Sequence, residues 1–455
     1  MKTIKTLFLS AFLAVLISSC GGTADILSTP VENIDNTPLK VLELTEAEKE
    51  NWGHLDLIKD TIPGMSVDKA YSEIIKNKKG KTVIVAVIDS GIDIDHEDLD
   101  ANIWTNEDEI PNNGKDDDKN GFIDDVNGWN FLGAIYKENA ELYRIIKDST
   151  IVDAETYKRA KKEYDKNVSE ATTNKQRYGQ ILQAVTYANT NIVKKLNKKE
   201  YKKEDLKSID ASDPEMQRSV AIASQMFDLG LSSLQEAIDE LTSLVTNADN
   251  LLSGDALKKD YRSVLNDDEN SMATKIYGDN KSGHQVKKES HGTHVSGIVA
   301  ASRGNGKGMD GVATNAKIMA VRVVPDGDEY DKDVALGIRY AVDNGAKVIN
   351  TSFGKGYSPK VQWVYDAIKY AAEKDVLIVN AAGNDSKDID VNVTYPNDAP
   401  DMVNEISDNF ITIGAISSNY NAQHAAHHRA ASCRKVTAYW ILCSYAFENV
   451  GRKQY

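Results

Sequence analysis

Five short runs of β-branched residues, spaced apart by helical periodicity, narrow what this chain can fold into more than any other feature. Residues 81–88 read KTVIVAVI, and similar runs recur at 316–324 (AKIMAVRVV), 346–350 (AKVIN), 376–380 (VLIVN) and 410–416 (FITIGAI). Continuous apolar runs suit strands of a parallel sheet buried on both faces. Helical patterns lie between them, at 291–301, 333–344 and 361–374. The second places Val334, Ile338 and Ala341 on one face, and the third Val364, Ala367, Ile368 and Ala371. Strands alternating with helices predict an α/β fold, doubly wound around a mainly parallel sheet.

One stretch breaks that rhythm. Residues 134–287 show no strand pattern and are rich in Lys, Glu and Asp. Tyr157, Tyr164, Val168, Ala171, Tyr178, Leu182 and Val185 recur at threes, fours and sevens, and Phe227, Leu231, Leu234, Ile238, Leu241 and Val245 at fours and threes. These are seams of a coiled-coil-like helix pair. Asp213-Pro214 supplies an N-cap and a first-turn proline for the second helix. The expectation is a long helical hairpin inserted into the α/β domain. It is either a solvated spacer or an arm that binds a partner or gates substrate.

The N-terminus has a different texture. Lys2 and Lys5 precede an apolar run from Leu7 to Ile17, followed by Ser18, Ser19, Cys20 and two glycines. This pattern reads as a secretory signal, and the run is short for a membrane span. Ile17-Ser18-Ser19-Cys20 resembles the bacterial lipoprotein signal, which implies lipidation of Cys20 and an acyl anchor in the bilayer of the bacterial cell envelope. An ordinary signal peptide with an incidental cysteine is the other reading. Residues 21–50 read as a tether and those from about Trp52 as globular. A hydrophobic share of 41% supports a sizeable core, and a formal net charge of -15 excludes a nucleic-acid-binding surface.

Three motifs carry the chemistry. Val87-Ile88-Asp89-Ser90-Gly91 puts a carboxylate at the end of a buried strand, where α/β folds place their sites. His291-Gly292-Thr293-His294-Val295-Ser296-Gly297 opens an apolar helix with an imidazole. Asn380-Ala381-Ala382-Gly383-Asn384 presents an amide just after a strand. In this order the three closely resemble the subtilisin-like serine peptidases. The resemblance implies that Asp89 orients the imidazole, His291 acts as general base and then acid, Asn384 stabilises the oxyanion, and His294 is structural. It also implies that Ser352, Phe353 and Gly354, within VINTSFG, bind the substrate backbone and border its pocket. Gly311-Val312-Ala313 before the strand at 316–324 fits the same family. Protein or peptide substrates follow. The catalytic domain then comprises 51–133 and 288–418, interrupted by the 134–287 insertion.

Asp116-Asp117-Asp118-Lys119-Asn120-Gly121, followed by Asp124 and Asp125, spaces oxygen side chains as a hard cation prefers. Asp116, Asp118, Asn120, Asp124 and Asp125 are candidate ligands of a structural calcium ion, or form an acidic surface turn. The sequence departs from the family in one respect: no Gly-Thr-Ser, the motif that would carry the nucleophilic serine, occurs in it. Residues 419–455 carry three histidines and two cysteines without family pattern, so a frameshift near 420 or a divergent end is expected there. The expectation is a serine endopeptidase whose Ser-bearing segment is missing and which is inactive. The alternative is a catalytically dead envelope-binding lipoprotein that works through its helical insertion.

Overall fold

The computed structural model describes residues 37–385, 387–415 and 418. Two compact units divide at Lys76 and Asn77. In the first, helix Glu46–Asn51 forms inside the stretch read as tether. Thr45 and Glu48 make a capping box, in which the Glu48 N–H bonds the Thr45 hydroxyl at 3.3 Å and the Thr45 N–H bonds Glu48 Oε2 at 2.8 Å. Further along, Trp52, Leu57, Ile62 and Val67 are buried.

The second unit is built on six parallel strands: β1 (Val83–Asp89), β2 (Gly128–Asn130), β3 (Ala316–Arg322), β4 (Val348–Thr351), β5 (Leu377–Ala381) and β6 (Phe410–Ile413), in the order β2-β3-β1-β4-β5-β6. Every pairing is parallel, with Val85 opposite Ile318 on one side and Val348 on the other. The principal helices are α1 (Ala154–Leu196), α2 (Pro214–Asp228), α3 (Leu234–Leu252), α4 (His291–Ala300), α5 (Asp331–Asp343) and α6 (Val361–Glu373). No helix of the described residues is long and apolar enough to cross a membrane.

The two-residue period of a strand sorts the core. Ala86, Ile88, Met319, Val321, Ile349 and Ile378 point to the face covered by α5 and α6. Val85, Val87, Ile318 and Ala320 point to the other, against Val295 and Ala300 of α4. Helices on both faces make the domain doubly wound, as the alternation predicts.

The insertion departs from a simple hairpin. Asp213 caps a helix with Pro214 at its first turn, and its carboxylate accepts from the Met216 N–H at 3.0 Å. That helix stops at Asp228, however, and the Phe227–Val245 seam spans two helices. Gly230 sits at φ +90° and breaks the run. Ser233 then caps α3, accepting from the Glu236 N–H at 3.1 Å, while Glu236 reaches back to the Ser232 N–H at 2.7 Å. Strong local capping chemistry thus overrides a heptad pattern that by itself reads as continuous. Contacts set the directions. Tyr187 meets Glu215 and, one turn on in both helices, Asn191 meets Ser219, so α2 runs the same way as α1. Asp249 of α3 pairs with Lys175 at 2.5 Å, so α3 returns along α1. Val185, Ile192, Tyr201, Leu206, Ala223, Leu234 and Ala237 give the arm a core of its own.

Candidate active site

Asp89 is the last residue of β1, the central strand, and is 1% exposed. Its Oδ1 accepts from the Ser90 N–H at 2.7 Å. Helix α4 begins at His291, whose Nδ1 lies 2.9 Å from both Asp89 carboxylate oxygens. The approach is close because residue 292 is glycine. A Cβ there would stand 2.4 Å from the Gly91 carbonyl oxygen and 3.2 Å from Asp89 Cβ. One further bond holds the helix in place: the Asp93 N–H donates to Thr293 Oγ1 at 2.8 Å, while Ser296 Oγ, within the helix, donates to the Gly292 carbonyl at 2.7 Å.

Burial works against the His291 cation, but the bond to Asp89 and its negative charge outweigh it, and the imidazole titrates above its ordinary value. The His291 side chain is 44% exposed, against 2% for Asp89, so the pair has one dry end and one open to a substrate. His294, one turn on, is pushed down by burial and then by the neighbouring His291 charge. Its Nε2 is buried with no hydrogen-bond partner among the described residues.

An ion pair not foreseen from the sequence buttresses this corner. Arg322, opposite Asp89 in the β1–β3 register, is fully buried. It pairs with Glu289, two residues before His291, and donates to the Ser90 carbonyl at 3.1 Å and to the Ile135 carbonyl at 2.7 Å. It ties the loops around the Asp/His pair together. A single arginine at the end of an apolar strand, in AKIMAVRVV, is the signal for it.

The other candidates lie along the same carboxyl edge of the sheet. Register places Ile88 opposite Thr351, and Thr351 opposite Asn380. Ser352, Phe353 and Gly354 therefore follow the end of β4 directly beside Asp89, and Asn384 follows β5 one strand further out. Ser352 Oγ donates to Asn350 Oδ1 at 2.9 Å, Phe353 packs on the core, and Asn384 is exposed. Cys20 lies outside the described residues.

The acidic loop gathers differently from the spacing-based set. Carboxylate oxygens of Asp118 and Asp125 come together with Glu109, all within 4.8 Å of one another. Asp116 and Asp124 do not join them, and each turns both its oxygens to backbone N–H groups of the loop. Asp116 accepts from Asn120 at 3.0 Å and Gly121 at 2.9 Å, and Asp124 from Asn113 at 3.0 Å and Gly114 at 2.9 Å. Asn120 donates its amide to Asp118 at 2.9 Å and Asp125 at 3.1 Å. Glu109 stands seven residues before the Asp116 repeat, outside any linear ligand pattern. Burial pushes the Asp125 carboxyl up to about 6, and Asp118 adds to this, against bonds from Tyr340, Asn120 and Asn106. Three carboxylates on a glycine-turned loop fit a hard, oxygen-seeking cation.

Comparison with known proteins now fixes the class. The Subtilase family model matches residues 80–439, and the chain belongs to that family. It is 40% identical over 141 residues to the cell wall-associated protease of Bacillus subtilis, which covers 31% of this chain and 15% of that protein. It is 44% identical over 110 residues to fervidolysin of Fervidobacterium pennivorans (22% and 15%). Thermitase of Thermoactinomyces vulgaris is 44% identical over 95 residues (21% and 33%). The matched stretches thus span a third or less of these relatives' length.

Proposed function

We propose that this chain carries the base, the orienting carboxylate and the oxyanion amide of a serine endopeptidase acting on protein or peptide substrates. The observation that supports it best is the His291–Asp89 pair. With Nδ1–H held by both Asp89 oxygens, the proton sits on Nδ1 and Nε2 is left as the basic nitrogen. From there the imidazole takes a proton from a nucleophile and returns it to a leaving amine. Asp89 steadies the imidazolium formed in between. Asn384 would donate its amide to the oxyanion. Ser352, Phe353 and Gly354 make no backbone hydrogen bond among the described residues, which leaves their edge open to an extended peptide.

No Gly-Thr-Ser occurs in the sequence, so in this reading these residues alone do not turn substrate over. Loss of the serine costs on the order of 10⁶-fold in turnover in subtilisin. The test is a fluorophosphonate probe with fluorescent casein. The chain should label at no serine and cleave no faster than His291→Ala. A version whose reading frame is corrected near codon 420 to supply Gly-Thr-Ser should gain both, and lose both again on His291→Ala. Labelling of the uncorrected chain at a serine, dependent on His291, would sink the reading.

Glu109, Asp118 and Asp125 would hold a calcium ion, whose charge would neutralise and brace the acidic loop. Export and acyl anchoring at Cys20 complete the proposal and place the protein at the cell envelope. Incorporation of labelled palmitate that persists in Cys20→Ser would overturn the anchor.

A further inference from the structure

The root of the helical arm grips the chain immediately after Gly354. Lys355 is 2% exposed at its side chain, and its Nζ meets Glu141 Oε2 at 2.7 Å, the Glu329 carbonyl at 2.7 Å and Asp331 Oδ1 at 2.8 Å. Glu141 belongs to the insertion. The Lys355 backbone is pinned as well, since Lys355 and Tyr395 exchange N–H and carbonyl at 2.9 Å each way. Two residues on, Tyr357 is 5% exposed and packs with Leu142, Ile145 and Ala160, all from the insertion. Its hydroxyl donates to Glu163 Oε2 at 2.7 Å, and the Arg159 guanidinium lies 4.5 Å from its ring centroid.

We infer that the helical arm is a positioning element for the Ser352–Gly354 segment, acting through Glu141 on Lys355 and Glu163 on Tyr357. The inference rests on reading that segment as the substrate-binding one. The segment is held at its start by the β4 ladder and at its end by side chains from the arm. A buried ammonium that bridges Glu141 of the arm and the 329–331 segment ties the two together, because leaving it unpaired is costly. A mere spacer needs anchoring at its own two ends. This arm also fastens to a loop more than 150 positions away in sequence, between Tyr357 and Glu163.

Amide hydrogen exchange on the full chain tests this. Glu163→Ala should speed exchange at the Lys355 N–H, which the Tyr395 carbonyl protects at the end of the segment, about fivefold, the effect of one lost hydrogen bond, and leave β1 amides unchanged. Glu163→Gln, whose carbonyl still accepts the tyrosine hydroxyl, should restore the slow rate. Tyr357→Phe is the second variant should Glu163→Ala also loosen β1. Unchanged exchange at Lys355 in both Glu163→Ala and Tyr357→Phe would overturn the inference, as would failure of Glu163→Gln to restore it. Fluorescence anisotropy with a labelled octa-alanine peptide separates the two layers. Weakened binding in step with faster exchange supports both. Faster exchange with peptide binding unaltered, or absent even in the parent chain, overturns the substrate reading of Ser352–Gly354 and leaves the arm's grip on it standing.

Discussion

Gly292→Ala is the sharpest perturbation of the Asp/His pair that touches neither residue. The added Cβ would stand 2.4 Å from the Gly91 carbonyl oxygen, about 0.6 Å inside the 3.0 Å limit that Cβ contacts respect. The obstacle is backbone, so it cannot swing aside, and helix α4 must retreat. A retreat of that size stretches the 2.9 Å His291–Asp89 contacts to about 3.5 Å, outside hydrogen-bond range. Overpacking of this kind costs about 1–3 kcal/mol. Two assays follow. Urea denaturation should show that loss as a lowered midpoint with an unchanged slope. NMR titration of the His291 ring should show its pKa fall from its raised position toward the ordinary value of about 6.5. If the midpoint and the titration both match the parent, the glycine is not what brings the helix to β1, and the argument for close approach is wrong.

Further predictions concern the surroundings. In Asp89→Asn, the raised His291 pKa should disappear. That pair stabilises the fold fully below the unfolded value near 6.5 and loses its effect as pH rises through the folded value. The melting-temperature gap between parent and variant should therefore be wider at pH 5.5 than at pH 9, and a constant gap would contradict it. Arg322→Ala strands the buried Glu289 carboxylate and should cost about 3–5 kcal/mol by urea denaturation, whereas Arg322→Met with Glu289→Leu should recover part of that loss. Calcium at about a hundred times its dissociation constant should stabilise the parent by about 2.7 kcal/mol in thermal unfolding, and Asp118→Asn with Asp125→Asn should abolish the effect.

The strands at 83–89, 316–322, 348–351 and 377–381 were legible because burial on both faces demands unbroken apolar runs, and helices α4, α5 and α6 because their apolar residues recur at helical spacing, even in α5, which is buried nearly all round. Strand β2 was not. Gly-Trp-Asn carries no period, and its pairing with Ala320–Arg322 is set by neighbours far away in sequence. The Asp89 and His291 motifs could be read because they are local strings. The metal group could not be read whole, since Glu109 reaches it through space, and because Asp116 and Asp124 turn to backbone amides nearby. Arg322 gave no more than a hint, as its partner Glu289 sits in a loop without regular structure. In the arm, the seam marked apolar faces correctly, but the break at Gly230 depended on a capping sequence that the heptad count passes over.

The strand order has a consequence for the chain while it is being made. β1 is the earliest strand of the sheet and lies at its centre, and both neighbours, β3 and β4, come more than 220 residues after it. At 5–20 residues per second, on the order of ten to fifty seconds pass on the ribosome before β1 can pair. The arm needs only its own residues, so α1, α2 and α3 can assemble while β1 still waits. An apolar strand left unpaired that long is a sticky edge, and the order of synthesis places a preformed, highly charged helical body next to it during the wait.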